Sequence, residues 1–197
     1  MKISSRRPQS VMMFLGPFSE ARNRPATPGR LLALAAVILI GTLQTFDLAG
    51  FRINTSPSLP VGLYMTTSDP TANLIEFCPG PTFGTLALQR GYRTAGSCKD
   101  GGAPLLKPVI AKAGDVVDVS ATGLAVNELA VPNTASMTAD VKGRNLAAWP
   151  SGRYVVPSTE MWVASSFNPR SFDSRYFGPI SVTAIHGRLR PLITFGK

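Results

Sequence analysis

The apolar run at residues 31–50, LLALAAVILIGTLQTFDLAG, constrains this chain more than any other feature. Residues 31–46 contain no charged side chain, and the first acidic residue of the run is Asp47, near its end. As a helix, about 20 residues span roughly 30 Å, the thickness of the hydrocarbon core of a bilayer. The run therefore predicts one transmembrane helix. The alternative is a cleaved signal peptide, but the basic segment of such a peptide is usually much shorter than 30 residues, and no clear Ala-x-Ala site follows the run.

The positive charge of the chain is concentrated before this run. The formal net charge is +9, and residues 1–30 carry six basic side chains against one acidic side chain. Residues 31–197 carry 14 basic and 10 acidic side chains without a dense basic run, so nucleic-acid binding is not indicated. A basic cluster beside a membrane helix stays in the cytoplasm and is attracted to anionic lipid. We therefore expect a basic cytoplasmic segment at 1–30, an anchor at 31–50 and an exported domain at 51–197.

The exported part carries the pattern of a mainly β domain. The chain contains 18 Gly and 17 Pro, and short alternating segments predict strands at 61–65, within 105–120, at 161–167 and after residue 180. No confident amphipathic helix follows residue 50, and residues 168–180 read as a loop. The Gly- and Pro-rich segments 76–104 and 121–158 are interpreted as inserts that form a small cap.

Two cysteines, Cys78 and Cys98, lie in the predicted exported domain. An oxidising compartment favours a disulfide between them, which would close a loop of about 20 residues and contribute about 3 kcal/mol. The alternative is two independent buried thiols. Neither a C-x-x-C motif nor a histidine cluster indicates a metal site, and no cofactor is expected.

Three segments carry candidate reactive groups, and each has an ordinary structural alternative. Residues 54–64, NTSPSLPVGLY, are either a linker or a rigid loop that holds a reactive hydroxyl at the bilayer surface. Lys107 lies in the apolar segment LLKPVIA, where burial could lower the lysine pKa, or it is a plain strand lysine. Residues 170–180, RSFDSRYFGPI, could form a loop pinned by an Arg–carboxylate pair, or a polar turn. The domain's single histidine, His186, is more typical of filler in a strand than of a base.

Together and in this order behind an anchor, the three segments resemble the type I signal peptidase family, most closely its TraF-type conjugative-transfer branch. The serine box of the family, roughly Ser-Gly-Ser-Met-x-Pro, corresponds to residues 56–60, SPSLP. The resemblance makes Ser58 the nucleophile and Ser56 a side-chain donor to the oxyanion hole, beside the Ser58 backbone N–H. Proline arrives one residue earlier here than in the common serine box.

The resemblance also covers the lysine box and the final box. The family's Lys-Arg-Val-x-Gly-x-Pro-Gly-Asp corresponds to residues 107–115, KPVIAKAGD, with proline after the lysine and alanine in place of the usual proline. The spacing from lysine to aspartate selects Lys107 over Lys112 as the general base. The last box corresponds to residues 171–178, SFDSRYFG. The resemblance implies that Ser171 orients the lysine and that Asp173 and Arg175 brace the site.

The resemblance implies a fold, an activity and partners. The expected fold is a β-rich catalytic core with a small inserted cap, anchored by one helix in the bacterial inner membrane with the domain in the periplasm. The expected activity is that of a Ser-Lys serine endopeptidase that cleaves the leader of an exported precursor, such as a pilin-type subunit of a conjugative (type IV secretion) apparatus. Membrane lipid is a further expected partner, and an apolar surface that includes Leu59, Leu63 and Met65 is expected to face either lipid or the extended segment of the substrate. A non-catalytic membrane-anchored β domain that scaffolds a secretion complex is the alternative.

Overall fold

The computed structural model describes residues 27–196, so residues 1–26 of the predicted cytoplasmic segment lie outside the described residues. Helix α1 covers Pro28–Leu48. It is the one helix among residues 27–196 that is long and apolar enough to cross a membrane, which fits a membrane-anchored protein. The helix begins three residues before the predicted range 31–50 and ends two residues before its end. It stops there because Gly50 takes a φ of +82°, a left-handed conformation that favours glycine.

The residues after α1 form mainly β-strands. A seven-stranded antiparallel sheet has the order β1-β2-β11-β3-β4-β9-β10, and a four-stranded sheet has the order β7-β6-β5-β8. The strand bounds are β1 Phe51–Asn54, β2 Val61–Thr67, β3 Leu74–Phe77, β4 Leu105–Ala111, β5 Val116–Ser120, β6 Gly123–Val126, β7 Leu129–Ala130, β8 Gly152–Val155, β9 Glu160–Val163, β10 Ile180–Ser181 and β11 Ile185–Phe195. The mainly β prediction is confirmed.

The large sheet brings together segments that are far apart in the sequence. Strand β4 pairs with β3 on one side and with β9 on the other, and the pairing sets Ile75 opposite Lys107. The long strand β11 pairs with both β2 and β3. Buried apolar side chains from this sheet form two core clusters, one containing Ile75, Phe77 and Val163 and the other containing Leu189.

The small sheet lies in the chain between β4 and β9. Its inner face packs Val117, Val119 and Leu124 against Trp162 in β9 and Ala164 just after that strand. The predicted strands within 105–120 are present as β4 and β5, but they belong to different sheets. Strand β5 is one of the two central strands of the small sheet. The sheet therefore begins at Val116, upstream of the predicted insert 121–158.

No confident helix was predicted after residue 50, but the structure has two short ones, one within the predicted insert 76–104 and one within the predicted loop 168–180. Helix α2 covers Pro81–Gln89 and has proline in its first turn, and the four-residue helix α3 covers Ser174–Phe177. Proline is tolerated there because the first N–H groups of a helix have no partner within it. Helix α2 is short and buries only Gly84 and Ala87. Two buried positions are too few to give its sequence a clear apolar period of 3.6 residues.

One apolar residue differs from its expected placement. Leu59 is buried against Tyr64 and Leu189 rather than contributing to an apolar surface. Its side chain therefore anchors the Pro-rich segment between β1 and β2 to the core of the large sheet.

Candidate active site

Three separate elements bring Ser58, Lys107 and Ser171 together. Ser58 lies in the turn between β1 and β2, Lys107 in β4, and Ser171 in the loop before α3. The Lys107 Nζ atom lies 2.6 Å from Ser58 Oγ and 2.8 Å from Ser171 Oγ. The lysine amine therefore hydrogen-bonds to two hydroxyls, each from a different box of the sequence resemblance.

The Lys107 side chain is almost completely removed from water. The residue is 3% exposed, and burial lowers the pKa of its ammonium from 10.5 to about 8. The nearby Asp173 carboxylate opposes this shift, whereas the Arg175 guanidinium adds to it. At neutral pH roughly a tenth of the amine is then neutral, so the group can act as a base.

Ser56 lies at the exposed edge of the site. Its Oγ accepts a hydrogen bond from the Ser58 backbone N–H at 3.2 Å. These are the two groups that the resemblance assigns to the oxyanion hole, and here they bond to each other. A substrate carbonyl oxygen that replaced this bond would meet two donors.

Asn54 holds the turn that carries Ser58, and sequence reasoning missed it. Its side-chain Nδ2 lies within 3.0–3.2 Å of three backbone carbonyl oxygens, those of Ser56, Leu59 and Pro60, and its Oδ1 accepts from the Ser56 N–H. The Tyr64 hydroxyl donates to the same Pro60 carbonyl at 2.6 Å. An asparagine just before a Pro-rich turn is a known signal for such an Asx turn, so the residue type offered a clue.

Asp173 and Arg175 form a buried ion pair beside the lysine. Arg175 Nε and Nη2 each lie 2.8 Å from a different oxygen of the Asp173 carboxylate. The remaining guanidinium hydrogens go to backbone carbonyls, including that of Ser171 at 3.0 Å. Because both side chains are paired and hydrogen-bonded to each other and to the main chain, they fix the loop that carries Ser171.

Ser165 is the second buried residue of the site that the sequence analysis did not single out. It follows β9, and its hydroxyl donates to the Ser58 carbonyl oxygen. Its backbone N–H donates to Asp173 Oδ2 at 3.1 Å. The segment MWVASSF gave no signal that distinguished this serine from its neighbour Ser166.

A cleft of about 600 Å³ opens beside the paired lysine and serine. One wall of the cleft includes residues of both predicted inserts, 76–104 and 121–158. The two inserts are joined there, because the Tyr92 hydroxyl donates to Asp140 Oδ2 at 2.6 Å and Arg144 Nε donates to the same oxygen at 2.7 Å. The Tyr92 hydroxyl lowers the pKa of the Asp140 carboxyl well below its usual range. Apolar side chains complete the lining, among them Met137, Leu146 and Phe172. A cleft of this volume with a partly apolar lining is typical of a ligand-binding site.

The other candidate residues lie away from this group. A disulfide joins Cys78 to Cys98, and His186 Nδ1 lies 3.9 Å from Cys78 Sγ. Lys112 is exposed, and its backbone N–H donates to Asp115. No group of three or more His, Cys, Asp or Glu side chains within residues 27–196 could hold a metal ion.

The sequence matches one protein family over nearly all of its described length. Residues 29–193 match the family described as "Signal peptidase, peptidase S26". A plasmid transfer protein TraF of Escherichia coli is 40% identical over 151 residues, which cover 75% of this chain and 84% of that protein. A probable conjugal transfer protein TraF of Sinorhizobium fredii is 36% identical over 179 residues, covering 88% of this chain and 92% of that protein.

The comparison with solved structures gives a signal peptidase I from Enterococcus faecalis V583. It is 20% identical with a TM-score of 0.34, and the match covers 62% of this chain and 98% of that chain. The family match and the identity to its relatives together identify the chain. It belongs to the signal peptidase S26 family.

Proposed function

We propose that this protein is a membrane-anchored serine endopeptidase with a Ser58–Lys107 dyad, which removes the leader segment of an exported precursor. The observation that carries the proposal is the 2.6 Å separation of Lys107 Nζ and Ser58 Oγ. A lysine amine in hydrogen-bond contact with a serine, shielded from water and without a direct carboxylate partner, is the arrangement that general-base activation of a serine requires.

The proposed reaction starts with the neutral amine. Lys107 takes the Ser58 hydroxyl proton as the oxygen attacks the scissile carbonyl, and Ser171 Oγ holds the amine in place. The Ser58 N–H and the Ser56 hydroxyl stabilise the negative charge on the tetrahedral intermediate. The Lys107 ammonium then gives its proton to the leaving amine, and an acyl ester on Ser58 remains.

The second half of the reaction repeats the same proton transfers. Lys107, neutral again, takes a proton from a water molecule that attacks the ester, and returns it to Ser58 Oγ as the ester breaks. Another amine could replace the water, and the product would then contain a new amide bond instead of a free carboxylate. Asp173 and Arg175 brace the loop of Ser171 throughout and exchange no proton.

The substrate assignment rests on the relatives. The matched proteins are named plasmid transfer or conjugal transfer proteins, and from them we assign this chain to a conjugative transfer system. Its substrate is then a precursor of that apparatus, such as a pilin-type subunit, cleaved after small residues such as Ala-x-Ala. The basic N-terminus is proposed to lie in the cytoplasm and the domain after the anchor in the periplasm, at the inner membrane.

The test is cleavage of a fusion between a leader segment that ends in Ala-x-Ala and a reporter domain, co-expressed with the full chain. Ser58→Ala and Lys107→Ala should each reduce cleavage by at least about a thousandfold while the protein stays folded in the membrane. Lys112→Ala is the matched control and should cleave like the unchanged protein. Cleavage that persists in Ser58→Ala would exclude the dyad, and cleavage that also persists without this chain would favour a scaffold role. Product masses distinguish a free carboxylate from a new amide bond.

A further inference from the structure

Ser165 is buried directly beside the strand that carries the lysine. The preceding residue, Ala164, donates its backbone N–H to the carbonyl of Pro108 at 3.2 Å, and Pro108 follows Lys107 in β4. Ser165 has no exposed surface, whereas its neighbour Ser166 is exposed. Only one of these two adjacent serines therefore belongs to the interior of the site.

The direction of the Ser165 hydroxyl proton follows from its other hydrogen bonds. The oxygen accepts from the backbone N–H groups of Phe167 and Asn168, at 3.2 Å and 3.1 Å. A serine hydroxyl has two acceptor positions and one proton. Because the two backbone donors occupy the acceptor positions, the proton is left for the Ser58 carbonyl oxygen.

The backbone N–H of Ser165 is hydrogen-bonded to the buried ion pair of Asp173 and Arg175. This N–H donates to Asp173 Oδ2, the oxygen that also accepts from Arg175 Nη2. The same Nη2 donates to the Ser171 carbonyl. Ser58 and Ser171, which flank the Lys107 amine, therefore both have their main chain connected to one ion pair, Ser171 directly and Ser58 through Ser165.

We infer that Ser165 is a positioning residue that holds the main chain of Ser58, so that its hydroxyl stays within reach of Lys107 and its N–H keeps its place in the oxyanion hole. This inference rests on the proposed function. Ser165 contacts neither the Ser58 hydroxyl nor the lysine amine, so it acts through the Ser58 carbonyl. Small displacements of a nucleophile reduce turnover strongly while substrate binding is retained.

The experiment measures kcat and KM of the full chain in detergent, with the purified leader–reporter fusion as substrate. Ser165→Ala should lower kcat by about tenfold to a hundredfold and change KM by less than about twofold, because the cleft is untouched. Ser165→Cys has a side chain of similar shape with a weak S–H donor. Its kcat should lie between that of the unchanged protein and that of Ser165→Ala. Ser166→Ala, the matched control on the exposed neighbour, should leave both constants unchanged.

A merely structural role gives a different result. It would lower the folded fraction, seen as a lower unfolding temperature, and kcat per folded molecule would not change. If Ser165→Ala does not fold, Ser165→Cys decides the question, and a folded cysteine variant with full kcat would overturn the inference. A folded Ser165→Ala with full kcat would also overturn it. If Ser165→Ala keeps full kcat and Ser58→Ala is inactive, the proposed dyad stands and only the role of Ser165 is excluded. If Ser58→Ala is active, the dyad itself is excluded.

Discussion

Asp173 and Arg175 form a two-bonded ion pair in which neither side chain has any exposed surface. Removing one partner leaves a charge in the interior without compensation, which typically costs about 3–5 kcal/mol. We therefore expect Asp173→Asn to lower the free energy of unfolding by about that amount, and Arg175→Lys to fail as a substitute because lysine cannot reproduce the planar set of donors. The measurement is denaturant unfolding of the full chain in detergent.

A matched control for this prediction is the exposed pair of Asp118 and Arg153. Their charged atoms are 3.7 Å apart, and their side chains are 35% and 60% exposed. Asp118→Asn should change the free energy of unfolding by less than about 1 kcal/mol, as is usual for surface pairs. Equal losses at Asp173 and Asp118 would contradict the structural role given to the buried pair.

The pH dependence of cleavage should report the Lys107 amine. Burial lowers the pKa of Lys107 to about 8, and only the neutral amine can accept the Ser58 proton. We expect kcat/KM to rise with pH and to level off above about 8, with a single proton controlling the rise. Lys112→Ala should leave this profile unchanged. A profile that is flat between pH 6 and 9, or one that falls as pH rises through this range, would argue against lysine as the base.

The same pKa has a consequence for stability with a definite sign. In the unfolded chain Lys107 recovers its usual pKa of 10.5, so between pH 8 and 10.5 the unfolded state binds the proton more tightly. The contribution of this group to stability therefore rises with pH across that interval, and below pH 8 it is destabilising. Lys107→Met should remove this contribution. Unfolding of the two proteins at pH 7 and pH 9 tests the sign.

The sequence resemblance pointed to the side chains proposed for the chemistry and to the bracing pair Asp173 and Arg175, whereas it gave no sign of Asn54 and Ser165. Ser58, Lys107 and Ser171 lie within short boxes that resemble those of the family, although proline comes one residue early in the serine box, and each box offers few residue types able to react. Asn54 and Ser165 act through backbone carbonyls, and such contacts depend on how distant turns meet. The short helix α2 was missed for a related reason, since tertiary packing of Gly84 and Ala87 outweighs its weak helical period.

Asn54 offers a test of how firmly the serine turn must be held. Asn54→Asp keeps the shape of the side chain but replaces the donor that faces three carbonyl oxygens with a carboxylate oxygen. Repulsion between these oxygens should displace the turn, and we expect kcat to fall by about tenfold or more with a smaller change in KM. Thr55→Ala, at the exposed next position, serves as the control and should be neutral. Wild-type kcat in a folded Asn54→Asp would show that the turn keeps its geometry without this donor.

The disulfide should affect the cleft wall more than the reacting groups. The loop closed by Cys78 and Cys98 contains Tyr92 and Arg93, which line the cleft, whereas Ser58 and Lys107 lie on elements outside that loop. Cross-linking a loop of this size contributes about 3 kcal/mol, so replacing both cysteines by alanine should lower the unfolding midpoint and raise KM more than it lowers kcat. Reducing agent should produce the same changes in the unchanged protein and have no further effect on the double variant. If the double variant lost kcat at constant KM instead, the loop would have to support the reacting groups themselves, and the division between cleft wall and catalytic centre drawn from the structure would be wrong.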